Sequence, residues 1–142
     1  MTIQSVDVLY TAVATAENGR DGRVASDDGN LDVVVNPPKE MGGSGAGTNP
    51  EQLFAAGFSA CFQSALGVVA RREKVEVAGS RVTAKVGIGK TEAGGFGLTV
   101  ELVVSIPNVD AATAMGLTEK AHEVCPYSNA TRGNIEVRLS VV

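Results

Sequence analysis

The chain predicts an α+β domain in which an antiparallel sheet wraps around central helices, in the order βββ-α-ββ-α-β. Three patterns in the sequence point there. Apolar and polar residues alternate with period two near both ends and in the middle of the chain. A helix-length segment after Asn49 is apolar on most of its sides, and a second segment before Pro126 repeats apolar residues at helical spacing.

The first three strands read as a meander. Val6, Val8 and Tyr10 alternate with Asp7, Leu9 and Thr11, and the run breaks at Asn18-Gly19-Arg20-Asp21-Gly22, where glycines permit positive φ. A second strand around Val24 leads to a turn at Asp27-Asp28-Gly29-Asn30. A third, Leu31 to Val35, ends at Pro37-Pro38. Residues 39 to 48 read as a flexible glycine-rich loop; no Lys-Ser or Lys-Thr follows Gly47, so the spacing of a phosphate-cradling loop is missing. The tail-like Gly89-Lys90-Thr91 falls in a strand-to-strand turn and fails the same test.

From Asn49 the period changes. Asn49 can cap, Pro50 suits the first helical position, and Thr48 with Glu51 or Asn49 with Gln52 offers a capping box. The helix should run to about Glu73, and a helix so apolar belongs in the middle of a structure. Alternation returns at Val82, Ala84, Val86 and Ile88, and again from Leu98 to Ile106 after Gly94-Gly95, as half-buried antiparallel strands. Asp110 caps a second helix in which Leu117, Ala121, Val124 and Cys125 share the apolar face, and Pro126 stops it. Ile135, Val137, Leu139 and Val141 make a last strand. One domain over 1–142 follows, and so few strands would leave the first helix partly bare, so a dimer is expected.

Composition narrows the partners. At 44% hydrophobic and 20% charged the chain is neither disordered nor a coiled coil. With net charge −4 and no basic run longer than Arg71-Arg72, nucleic acid is not an expected partner. The first residues carry no basic stretch ahead of an apolar one, which points to the cytoplasm. Leu53 to Ala70 contains Gln63, Ser59 and Ser64 among small residues and reads as a core helix, with no membrane expected.

Cys61 and Cys125 stand 64 positions apart, unsuited to a disulfide scaffold, and are either core fillers or redox groups. His122 is the one histidine, and no ligand spacing suggests a metal. It reads as a solvated helix residue more readily than as the base of a Cys/His pair. Cys61 lies inside a helix, away from any helix-dipole benefit, so a reactive thiolate there needs a nearby cation. Spacing does not choose between Arg20 and Arg23 for that part, and a solvated turn arginine explains Arg20 equally well.

The run Gly47-Thr48-Asn49-Pro50-Glu51-Gln52-Leu53-Phe54-Ala55-Ala56-Gly57-Phe58-Ser59-Ala60-Cys61-Phe62, with Val124-Cys125-Pro126-Tyr127-Ser128-Asn129-Ala130-Thr131-Arg132-Gly133-Asn134-Ile135, resembles the organic hydroperoxide resistance proteins of the OsmC/Ohr superfamily. Gly19-Arg20-Asp21-Gly22, Gly87-Ile88-Gly89 and Gly94-Gly95-Phe96-Gly97-Leu98 extend the resemblance over essentially the whole chain, and the Cys-Pro-Tyr-Ser-Asn-Ala-Thr-Arg-Gly-Asn run favours the Ohr branch. The resemblance implies an OsmC-like fold in an intertwined homodimer with two active sites at the subunit interface. It implies a thiol peroxidase that reduces alkyl and fatty-acid hydroperoxides to alcohols. Cys61 would be the peroxidatic nucleophile, Cys125 the resolving thiol, Arg20 the activating cation and Glu51 the carboxylate that holds it. No metal or bound cofactor is implied; dihydrolipoyl groups of a lipoylated enzyme would supply electrons.

Phe54, Phe58 and Met41, with Tyr127 as a weaker candidate, offer apolar walls for an alkyl tail, though core packing explains each equally well. Ten helical residues separate Glu51 from Cys61, about 15 Å of rise, so one arginine can hardly touch both within one chain. Arg20 and Glu51 are therefore expected from one subunit and Cys61 with Cys125 from the other. The rival reading is a non-catalytic redox sensor or apolar-ligand carrier.

Overall fold

The computed structural model describes residues 3–142, and the chain divides after Pro50 into two compact units. In the first, β1 (Ala14–Glu17), β2 (Gly22–Ser26) and β3 (Asp32–Val35) form an antiparallel sheet in sequence order, as the meander reading requires. Asn18 and Gly19, both at positive φ, close the β1–β2 turn. Arg23 reaches across to β3, where its Nε and Nη2 each hold one oxygen of Asp32 at 2.7 Å.

Two expectations fail in this unit. The alternating residues 6–11 make no strand, and Val6, Val8, Leu9 and Tyr10 are exposed; the first strand begins at Ala14. Alternation says which side of a strand faces outward, but a strand also needs a ladder partner, and these residues have none among those described. The glycine-rich segment is a hydrogen-bonded corner rather than a loose loop. A short 3₁₀ turn at Lys39–Met41 is followed by Gly43 and Gly45, whose N–H groups donate to the carbonyls of Pro38 and Pro37. A side chain at Gly43 would run into the Pro37 carbonyl, so the residue is small because two backbones meet there.

In the second unit the long helix, α1 (Pro50–Glu73), ends close to where the sequence suggests. Lys74 takes φ 57°, its N–H donates to the Arg71 carbonyl and that of Val75 to the Ala70 carbonyl, the paired bonds that terminate helices through a left-handed residue. Strands β4 (Arg81–Lys90) and β5 (Phe96–Ser105) form a long antiparallel hairpin. Asp110 caps α2 (Ala111–Val124) through a 2.7 Å bond from the Thr113 N–H. The last strand, β6 (Val137–Val141), lies parallel to β5, against the all-antiparallel expectation. A parallel pairing needs a crossover connection, which the helical segment between the two strands provides.

The core lies between the sheet and the two helices: Phe58, Phe62, Leu66 and Val69 of α1, Val100, Leu102 and Val104 of β5, and Leu117 and Ala121 of α2 are buried together. By length and composition α1 could cross a membrane, but these side chains give its apolar face a protein partner instead. Pro126 does end α2, and it also opens a further helix absent from the expected order, α3 (Pro126–Thr131), with proline at its first position. Cys125 is thus not on the face of α2 but at the corner between two helices.

Candidate functional site

The corner at Cys125 and the middle of α1 converge. Cys125 is fully buried, and its N–H donates to the Ala121 carbonyl at 2.8 Å while its own carbonyl accepts from Asn129 at 2.9 Å. Its main chain is therefore held by α2 on one side and α3 on the other. From there its sulfur lies 3.6 Å from that of Cys61, and both are thiols. Cys61 is partly buried.

The electrostatics around Cys61 pull both ways. Burial pushes its thiol up, the polarity of the Tyr127 backbone N–H pulls it down, and the neighbouring Cys125 pushes it up again. That amide is available because it sits in the first turn of α3, where N–H groups lack partners inside the helix. Burial is the larger effect, so the groups this chain sets around Cys61 leave the thiol harder to ionise than an ordinary cysteine.

One face of α1 carries Phe54, Gly57, Phe58 and Cys61 at i, i+3, i+4 and i+7, and the Tyr127 ring covers it. Tyr127 meets Phe58 edge-on at 5.6 Å between ring centres and Phe54 at 6.2 Å, and the two phenylalanines are 5.9 Å apart. Phe58 is fully buried, whereas Phe54 and Tyr127 line an open apolar groove of about 580 Å³ with Phe96, Leu98 and Ile135. A separate hollow of about 370 Å³ is lined by Lys85, Glu101, Glu136 and Arg138, whose charges are paired with one another.

Of the other residues singled out, Glu51 lies in the first turn of α1, while Arg20, in the β1–β2 turn, and the exposed Met41 belong to the first unit. Arg23, which spacing left level with Arg20, has its guanidinium committed to Asp32. His122 is not a solvated helix residue: its Nδ1 is 2.8 Å from the hydroxyl of the buried Ser128. Among the described residues no group of His, Cys, Asp and Glu is placed to hold a metal ion. Sequence reasoning missed the Tyr127 amide and the contacts of His122 and Arg132 across the α2–α3 corner. The first had a signal, since proline directly after a cysteine can open a helix whose next N–H is unpartnered.

Residues 42–140 match the family described as OsmC-like protein. The chain is 53% identical over 136 residues to the organic hydroperoxide resistance protein of Xanthomonas axonopodis pv. citri, covering 94% of this chain and 95% of that one. Among solved structures it superposes on an organic hydroperoxide resistance protein from Elizabethkingia anophelis, crystallised with thiocyanate bound, with a TM-score of 0.90, 57% identity, and coverage of 96% and 98%. The organic hydroperoxide resistance protein OhrB of Bacillus subtilis superposes with a TM-score of 0.88 at 46% identity, covering 95% of this chain and 100% of that one.

Proposed function

The chain belongs to the OsmC-like family and stands among its organic hydroperoxide resistance proteins, and on that premise we propose that it is a cysteine-based peroxidase that reduces organic hydroperoxides to alcohols. The observation that carries the reading is the pair of free sulfurs 3.6 Å apart, one partly exposed and one buried behind it. Core packing needs no such pairing, whereas a two-thiol cycle does.

The cycle balances as follows. The Cys61 thiolate attacks the terminal oxygen of ROOH; the O–O bond breaks, RO⁻ leaves and takes a proton, and Cys61 becomes a sulfenic acid. Cys125, as thiolate, attacks that sulfur and expels hydroxide, which a proton converts to water, leaving the Cys61–Cys125 disulfide. A dithiol donor such as a dihydrolipoyl group then returns two electrons and two protons, and no metal or bound cofactor takes part. Two thiols of one donor favour release, because the mixed disulfide formed first is resolved intramolecularly.

Ionising Cys61 needs a positive charge that outweighs burial. Arg20 is the candidate, held by Glu51, on its residue-by-residue match to the family motif. Its guanidinium would also stabilise the alkoxide forming as the O–O bond breaks; lowering the thiol pKa raises the thiolate fraction but weakens the nucleophile, so ionisation alone gains little. A homodimer in which Arg20 and Glu51 serve the Cys61 of the other subunit fits the roughly 15 Å of helix between Glu51 and Cys61. The exposed Ile3, Val6, Val8, Leu9 and Tyr10 suit burial against a second copy. The groove beside Tyr127 suits the alkyl part of a bulky hydroperoxide.

The test is turnover. With cumene hydroperoxide and excess dihydrolipoamide, consumption should continue over many equivalents, and a monothiol should support it far less well. Arrest after one equivalent would refute the enzyme and leave a redox sensor.

A further inference from the structure

Two side chains bridge the α2–α3 corner. His122 of α2 meets the hydroxyl of Ser128 of α3 at 2.8 Å, and Ser128 is fully buried. Arg132, just beyond α3, donates through one Nη to the Asn129 side-chain oxygen at 2.7 Å and through the other to the His122 carbonyl. The His122 carbonyl is one of the last four of α2, which no intrahelical N–H reaches, so Arg132 closes the end of α2 while gripping α3. Between these two bridges stands Cys125, whose main chain is bonded into both helices. The angle of the corner therefore sets where its sulfur points.

We propose that His122, Ser128 and Arg132 form a clasp that holds the α2–α3 corner so that the Cys125 sulfur stays within bonding reach of Cys61. They are positioning residues: their hydrogen bonds run to one another, to Asn129 and to the main chain, and not to either sulfur. The clasp acts by preorganisation. Two thiols held in contact form a disulfide as though each were at very high local concentration, and a corner free to open dilutes that advantage. The inference rests on the Cys61–Cys125 disulfide of the proposed cycle, but not on the peroxide that drives it.

The experiment measures the exchange equilibrium of the full chain with dithiothreitol. The protein dithiol passes two electrons and two protons to oxidised dithiothreitol, giving the protein disulfide and the reduced reagent. Ser128→Ala and Arg132→Gln should each lower the equilibrium constant for forming the disulfide by about tenfold, the worth of one buried or charge-assisted hydrogen bond. Arg132→Lys, which keeps charge but cannot bridge two acceptors with a planar fork, should fall between wild type and Arg132→Gln. Val104→Ala, in the same core but on the sheet, should lower the melting temperature and leave the constant unchanged. Unchanged constants in Ser128→Ala and Arg132→Gln, with wild type forming its disulfide normally, would overturn the clasp. A wild-type protein that exchanges with dithiothreitol yet consumes no cumene hydroperoxide would overturn the peroxidase reading alone.

Discussion

A methyl group added at Gly57 would meet the Tyr127 hydroxyl at 2.9 Å and two of its ring carbons at 3.2 and 3.3 Å. Gly57 is thus the seat on α1 that lets the Tyr127 ring lie over the helix, with Cys61 four positions further along the same face.

That seat makes a double-mutant cycle informative. In a helix interior Gly→Ala gains about 1 kcal/mol, and Gly57→Ala should show this gain in a Tyr127→Ala background. With Tyr127 present the gain should vanish, because the ring must shift. Urea denaturation of the four proteins reads the difference, and equal effects in both backgrounds would remove the contact from the account.

Phe54 and Phe58 are neighbours in sequence and in space, but their burial separates them. Phe58→Ala should cost about 3–5 kcal/mol of stability, as an aromatic lost from a closed core does. Phe54→Ala, at the groove, should cost less stability and instead raise KM for bulky hydroperoxides more than for small ones. Denaturant midpoints and initial rates on tert-butyl and cumene hydroperoxides check both.

His122 carries a pH signature. Burial, then the Arg132 charge, hold its imidazole below its ordinary value of 6.5, with Glu123 pulling weakly the other way. As pH falls below 6.5 the unfolded chain takes up a proton that the folded chain resists, so stability is full above that pH and declines beneath it. Denaturant melts at pH 7.5 and 5.5 should show a larger loss for wild type than for His122→Gln.

Arg20 should be visible without peroxide. Alkylation of Cys61 by iodoacetamide follows its thiolate, and Arg20→Ala should move the midpoint of that reaction to higher pH, because burial then acts unopposed by a cation. Arg20→Lys should restore much of the midpoint while turnover stays low, since an ammonium lacks the planar fork. Full turnover in Arg20→Lys would remove the orienting role.

The proposed sharing of sites between subunits predicts complementation. Mixed dimers of a Cys61→Ser chain and an Arg20→Ala chain should recover one working site per dimer, with activity near half of wild type. Activity no greater than the sum of the two parent homodimers would place Arg20 and Cys61 in the same chain.

Reading the chain alone recovered much of this structure. The limits of α1, the β4–β5 hairpin with Val82, Ala84, Val86 and Ile88 on its inner side, and the Asp110 cap follow from spacing, because each rests on contacts a few residues away along the chain. The motif around Cys61 and Cys125 named the two sulfurs. It did not bring them to 3.6 Å, nor lay the Tyr127 ring over the helix face that carries one of them.

Those features belong to the tertiary structure. Whether β6 runs parallel to β5, whether residues 6–11 find a ladder, and whether Cys125 sits on a helix face or at a corner depend on which distant segments meet. Periodicity records how each residue divides between water and protein, and a chain can satisfy one such division with several pairings. Packing selects among them, and the arrangement adopted closes the core around Phe58, Leu102 and Leu117 while satisfying the polar groups at the α2–α3 corner.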